Sequence, residues 1–153
     1  MITRKATLDD IEALRTFEQG LIKAERPFDE TLKADPIQYY DLEYLLTDEN
    51  IRLVVVEVGQ QIIACGYPRI KKAKPYAQYS FYSYLGFMFV QDEFRGKGIN
   101  QLVIEALTQW SLEQGVNMIH LDVFTENAAA VRAYKKVGFK EYLVEMRMDI
   151  SRK

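Results

Sequence analysis

The sequence predicts an α/β domain with its layers arranged in the α+β manner: a mixed, mostly antiparallel central sheet flanked by helices. Three observations predict it. Two β-branched runs, LVVVEV (residues 53–58) and QIIACGYPRI (residues 61–70), are separated only by Gly59 and Gln60, which makes an antiparallel hairpin. From residue 79 to 124 the order is strand, glycine loop, helix, strand, a βαβ unit that requires a parallel pair and a right-handed crossover. The chain has 153 residues, 48% hydrophobic and 27% charged, enough for the core of one ordinary domain spanning 1–153.

Each element follows from its local pattern. Thr7 with Asp10 reads as a helix start, and Leu8, Ile11, Leu14, Phe17 and Leu21 recur behind it at helical spacing. Residues 25–35, ERPFDETLKAD, are polar and broken by Pro27, an irregular insertion of the kind that often serves as a binding surface. Asp35 and Pro36 then supply an N-cap and a first-turn proline for a short second helix carrying Ile37, Tyr40 and Tyr44. The hairpin comes next, with RIKKAKP as its solvated end. Residues 79–90, YSFYSYLGFMFV, form a long aromatic strand. A helix carrying Ile99, Leu102, Val103, Ala106, Leu107 and Trp110 stops at Gly115, and MIHLDVF, residues 118–124, is the strand after it. Asn127 opens a last helix that Gly138 closes. In residues 142–150, Tyr142, Val144, Met146, Met148 and Ile150 alternate with mostly polar neighbours as a final strand.

Composition removes several functional classes. No apolar run approaches the roughly 18 residues of a membrane span, and MITRKATLDD lacks the apolar centre of a signal peptide, so the expectation is a cytoplasmic protein with no membrane partner. A net charge of −2 offers no electrostatic case for nucleic acid. Cys65 is alone, which precludes an intramolecular disulfide and a cysteine-built metal site; no metal is expected. Its setting, IIACGY, is that of a small buried residue.

The informative stretch is FRGKGINQLVIEALTQW, residues 94–110, where a glycine loop runs directly into an amphipathic helix. Glycines let a ligand approach the main chain, and the unpaired N–H groups at a helix start favour phosphate. A P-loop would need two glycines five apart followed by Lys and Ser or Thr, and that is absent. The dinucleotide fingerprint finds Gly96 and Gly98 but has Gln101 in place of its third glycine. What fits is R-x-x-G-x-(G/A), matched by Arg95, Gly98 and the residues between, with Asn100 at the last place. Together with N-x-x-A-x-x-x-Y-x-K-x-G-F, matched by Asn127, Ala130, Tyr134, Lys136, Gly138 and Phe139, it resembles the GNAT superfamily of acyl-coenzyme A-dependent N-acetyltransferases. The element order is similar along essentially the whole chain. Asn100 departs from the usual glycine or alanine.

The resemblance implies an acetyl-coenzyme A-dependent N-acetyltransferase acting by direct attack of a primary amine in a ternary complex. The pantetheine arm would lie along the strand as an added strand, paired with backbone near Met88 and Val90. The N–H groups of Arg95, Gly96, Lys97, Gly98, Ile99 and Asn100 would hold the pyrophosphate. Asn127, Ala130 and Lys136 would border the cofactor, Asn127 also serving as an N-cap. Tyr134 matches the family's general acid for the departing thiolate. No carboxylate lies in residues 79–90, so the base stays open among a relayed water, Asp122, His120 and a carboxylate of residues 25–35. The acceptor is an amine-bearing small molecule or peptide, and the oligomeric state is open, a homodimer included. A non-catalytic acyl-coenzyme A sensor on the same fold is the alternative.

Overall fold

The computed structural model describes residues 1–151 and divides into two compact units, Met1–Asp122 and Val123–Lys153. The first contains a five-stranded sheet of β1 (Ile2–Lys5), β2 (Val54–Val58), β3 (Gln61–Lys72), β4 (Phe81–Val90) and β5 (Ile119–His120), in that spatial order. The first three pairings are antiparallel and β4 with β5 is parallel, the mixed sheet that the hairpin and the βαβ unit require. Three helices belong to this unit: α1 (Ile11–Glu25), α2 (Leu42–Thr47) and α3 (Ile99–Glu113).

The run VVV in β2 is buried on both faces, and the sheet therefore needs cover on both. On one side Val55, Cys65, Tyr67 and Phe87 join Leu14 and Phe17 of α1 and Leu42, Leu45 and Leu46 of α2 in one cluster. On the other, a Cβ built on Gly66 would meet Val103 and Leu107 of α3 at 2.9 and 3.3 Å, so the glycine lets that helix settle onto β3. The start of α1 is fastened twice. Asp10 accepts the Thr7 N–H at 2.8 Å, and its carboxylate takes both ends of the Arg4 guanidinium at 2.8 and 2.9 Å.

The second unit contains α4 (Ala128–Val137), started by Asn127, whose side chain accepts the Ala130 N–H at 3.2 Å, and ended at Gly138 with φ 116°.

The structure differs from the expectation in four places. β1 is an extra strand, hidden in the sequence because ITRK carries two charges and no alternation. The short helix begins at Leu42, capped by Asp41, not at Asp35 and Pro36, because the Tyr39 and Tyr40 N–H groups bond the Glu18 carboxylate across the fold instead of a preceding turn. The parallel strand is two residues long where seven were expected, since only Ser83 and Tyr84 of β4 pair with it. Residues 142–150 form no strand: alternation supplies one apolar face, but a strand exists only with a ladder partner, and none pairs with it among the described residues.

Candidate active site

β4 carries the feature on which the site turns. Opposite Cys65 and Tyr67 of β3 stand Phe89 and Gly86, so β4 spends one more residue than its neighbour over this step, a β-bulge. Phe87 sits in it at φ 52°, a left-handed conformation that a bulky residue adopts only when its surroundings fix it. Tyr40 stacks on its ring at 4.6 Å, the Phe87 carbonyl accepts the buried Cys65 thiol at 3.3 Å, and Phe87 itself is 1% exposed. β5 has ended before the bulge, so within this unit the outer edge of β4 is unpaired from there on.

Past the bulge, Gln91 donates its backbone N–H to Ile63 at 2.9 Å. In the alternation of an antiparallel ladder, Val90 then directs its N–H and C=O to the opposite, open edge, and Met88 does the same two residues earlier. The Val90 carbonyl takes the Arg95 Nε at 3.0 Å, which ties the strand end to the loop behind it. That loop passes Gly96 (φ 75°) and Gly98 (φ 78°), and a Cβ built on either would have no atom within 4 Å, so bare backbone faces open space. Gly98 is the N-cap of α3. The Ile99 side chain is buried beneath the helix start at 4% exposure, leaving its backbone N–H as the group it can offer a ligand. Lys97 is exposed and lies over the Phe94 ring at 5.6 Å. Met88, Val90 and residues 95–100 thus converge at one end of the sheet, at the mouth of α3. Unpaired helix N–H groups beneath exposed glycines fit an anion with several oxygens, and the open edge of β4 fits an extended amide-bearing chain. The donor set suits a pyrophosphate joined to pantetheine.

A second group of side chains lies toward the other end of β4. Tyr84 donates its phenol to Asp122 at 3.1 Å. Burial first, and the Asp122 charge after it, hold the Tyr84 phenol well above its ordinary range, and the Glu25 carboxylate adds to that. Glu25 closes α1, is half-buried and bonds the Tyr39 side chain; burial pushes its carboxyl above the ordinary 4.5. Two carboxylates therefore act on one phenol. His120 is engaged elsewhere: its Nε2 shares a hydrogen bond with the Tyr79 hydroxyl at 3.1 Å, its ring stacks on Tyr82 at 4.1 Å, and burial lowers its proton affinity against the opposing pull of Asp122.

In the second unit Asn127, Ala130 and Tyr134 fall on one stripe of α4, at spacings of three and four. Tyr134 is half-buried and packs edge-on to Phe139 at 5.8 Å. Lys136 lies on a different face, two residues and roughly 200° round from Tyr134, in the last turn where a cation suits the helix dipole.

Two residues escaped the sequence reading. Glu18 is 2% exposed and receives the Tyr39 and Tyr40 N–H groups at 2.8 and 2.7 Å on one oxygen, fixing the chain that brings Tyr40 to Phe87. Its signal was present: a charge four residues from Leu14 and from Ile22 on the apolar stripe of α1. Tyr84 gave none, being one of three tyrosines in residues 79–84, on a strand where aromatics are ordinary.

Among the described residues no group of three or more His, Cys, Asp or Glu could hold a metal, and no helix is long and apolar enough to cross a membrane. A variant of the BH1408 protein from Bacillus halodurans matches the fold with a TM-score of 0.89 at 21% identity, over 99% of this chain and 100% of that one. A predicted acetyltransferase solved with acetyl-coenzyme A, from Clostridium acetobutylicum, gives 0.75 at 19% identity, over 97% and 96%. In sequence, the uncharacterized N-acetyltransferase YobR of Bacillus subtilis is 43% identical over 58 residues, a match that spans 38% of this chain and 24% of YobR. The model of the acetyltransferase (GNAT) family matches residues 15–139, most of the chain and both of its units, and the protein is a member of that family.

Proposed function

We propose that the protein transfers the acetyl group of acetyl-coenzyme A to the primary amine of a small molecule or peptide, by direct attack in a ternary complex. The observation that carries this reading is the bare backbone at Gly96 and Gly98 beside the unpaired edge of β4, a cradle shaped for a pyrophosphate and its pantetheine arm. Acetyl-coenzyme A supplies the thioester, whose carbonyl carbon the amine attacks. The N–H groups of residues 95–100 hold the pyrophosphate, and the outward backbone of Met88 and Val90 aligns the arm as an added strand. Asn127 and Ala130, on the same stripe of α4 as Tyr134, border it.

An acceptor arrives as an ammonium and must lose a proton before it attacks. Glu25 and Asp122, both acting on Tyr84, favour a cation there, and Glu25 is the base we assign, burial raising its carboxyl above the ordinary 4.5. His120 is set aside, its Nε2 being shared with Tyr79. Tyr134 donates the second proton, to the departing sulfur.

Tyr134→Phe keeps the ring and its contact with Phe139 but deletes the donor. Single-turnover rate should fall by roughly 10²–10⁴ while affinity for coenzyme A changes no more than a few-fold. An undiminished rate would make Tyr134 a packing residue. Thiol release by the unmodified protein over a panel of amines separates the enzyme from a sensor, which would bind coenzyme A and stay silent throughout.

A further inference from the structure

One stretch of the first unit carries charge of a single sign. From Val58 to Gln91, through β3, the turn after it and β4, there is no aspartate or glutamate, yet Arg69, Lys71, Lys72 and Lys74 stand there in a chain whose net charge is −2. Two of these cations share a face of the sheet with Tyr84. Arg69 pairs with Tyr84 across the β3–β4 ladder and Lys71 with Tyr82, and residues directly opposite on neighbouring antiparallel strands lie on one face.

Both cations are oriented but not neutralised. The Arg69 guanidinium lies 5.7 Å from the centre of the Tyr44 ring, and the Lys71 ammonium 4.8 Å from that of Tyr84. A ring face attracts a cation and leaves its charge in force. Among the described residues neither makes an ion pair. Both are partly buried, where charges act more strongly than in bulk water. The Arg69 charge is felt next door, where it works against the burial that pushes the Tyr67 phenol up.

Tyr84 therefore stands between charges of opposite sign. Lys71 lies over its ring and Arg69 across the ladder, while Asp122 takes its hydroxyl and Glu25 acts on the same phenol. An amine that brings only an ammonium meets attraction on one side and repulsion on the other. A molecule with both charges satisfies both sides, and the second ammonium of a diamine is turned away.

We propose that the acceptor is an amino carboxylate, its ammonium toward Glu25 and Asp122 and its carboxylate on Arg69 and Lys71. Arg69 supplies geometry, because its planar fork matches two carboxylate oxygens; Lys71 supplies a point charge. This names the substrate class of the site assigned above and rests on that reading for its chemistry, but the anion subsite can be read by binding alone.

The test compares free amino acids and aminohexanoate, each with its own carboxamide, which keeps the amine and removes the negative charge. The amine of the amide is the less basic and gives up its proton more readily, so a preference for the acid comes from recognition. Thiol release from acetyl-coenzyme A gives kcat and KM, and calorimetry with coenzyme A present gives affinity. At least one acid should exceed its amide by about tenfold or more in kcat/KM, chiefly through KM. In Arg69→Gln and in Lys71→Gln that ratio should fall toward one, and Arg69→Lys, which keeps the charge, should restore part of it. A substitution that merely loosened the sheet would weaken acid and amide together and leave the ratio unmoved, which overturns the proposal.

The two readings fail separately. Amides used as readily as acids, with thiol released, sink the amino carboxylate and leave the acetyltransferase standing. If no amine releases thiol, calorimetry decides. Acids that bind more tightly than their amides, and lose that margin in Arg69→Gln, keep the anion subsite while the acetyltransferase reading falls; equal binding sinks both.

Discussion

Gly98 shows how one atom's absence can matter twice. Its φ of 78° is strained for any side chain, and the space above it is open, so a substituent there meets the ligand and not the protein. Gly98→Val should weaken coenzyme A binding at least tenfold, about 1.4 kcal/mol, by calorimetry, with a separate backbone cost on the order of 1–3 kcal/mol read as a lower melting temperature. An unchanged affinity would leave the loop as a turn only. Glu25 titrates differently. A base works only when ionised, and burial raises the pH at which this carboxyl ionises, so the rate should climb with pH through a limb displaced upward from the ordinary 4.5. In Glu25→Gln the limb should vanish and the rate fall by roughly 10²–10⁴, with the KM for acetyl-coenzyme A unmoved. Persistence of the limb would assign the base to another group.

Among the elements, α1 is joined to the sheet by charge as well as packing. Arg4 on β1 reaches Asp10 at the head of α1 and Glu57 on β2, at 2.8 and 2.9 Å. The Arg4 hydrogen bonds hold the Asp10 carboxyl below its ordinary 3.8, against the opposing effect of burial. A depressed carboxyl stabilises the fold above its unfolded pKa and loses that contribution as pH falls through the folded value. Asp10→Asn should therefore cost about 1–2 kcal/mol at neutral pH, Arg4 being partly in water, and the cost should shrink below pH 4 in denaturant titrations. A cost that stays constant into acid would mean that packing, not charge, sets it. The elements also divide by how readable they were. α3, α4 and the hairpin carry their own signals: helical spacing of Val103 and Leu107, the Asn127 cap, the Gly59 turn. β1, the start of α2 and the length of β5 are decided by partners far along the chain, Val56, Glu18 and Ser83 among them, and no local pattern encodes a partner. The glycine loop was legible because its chemistry is local; the bulge at Phe87 was not, because it exists only as a mismatch between two strands.

For the whole molecule, stability should depend on the ligand. Coenzyme A that binds only the folded chain lifts the thermal midpoint by mass action as its concentration passes the dissociation constant. A scan across a hundredfold range of coenzyme A concentration tests this, and a midpoint that never moves would mean that the folded chain does not hold it. The family model spans residues 15–139 and so covers parts of both units.

The sealed thiol has a practical use. Cys65 is the chain's one cysteine, 0% exposed, with burial pushing its proton affinity well up. A disulfide reagent added to the folded protein should therefore find only thiol set free by turnover, so the colour it develops is a clean reaction counter. With no substrate present, the same reagent becomes a clock: it reacts as fast as the central sheet opens, and the slope of labelling against denaturant reports how much of the molecule must come apart to reach β3.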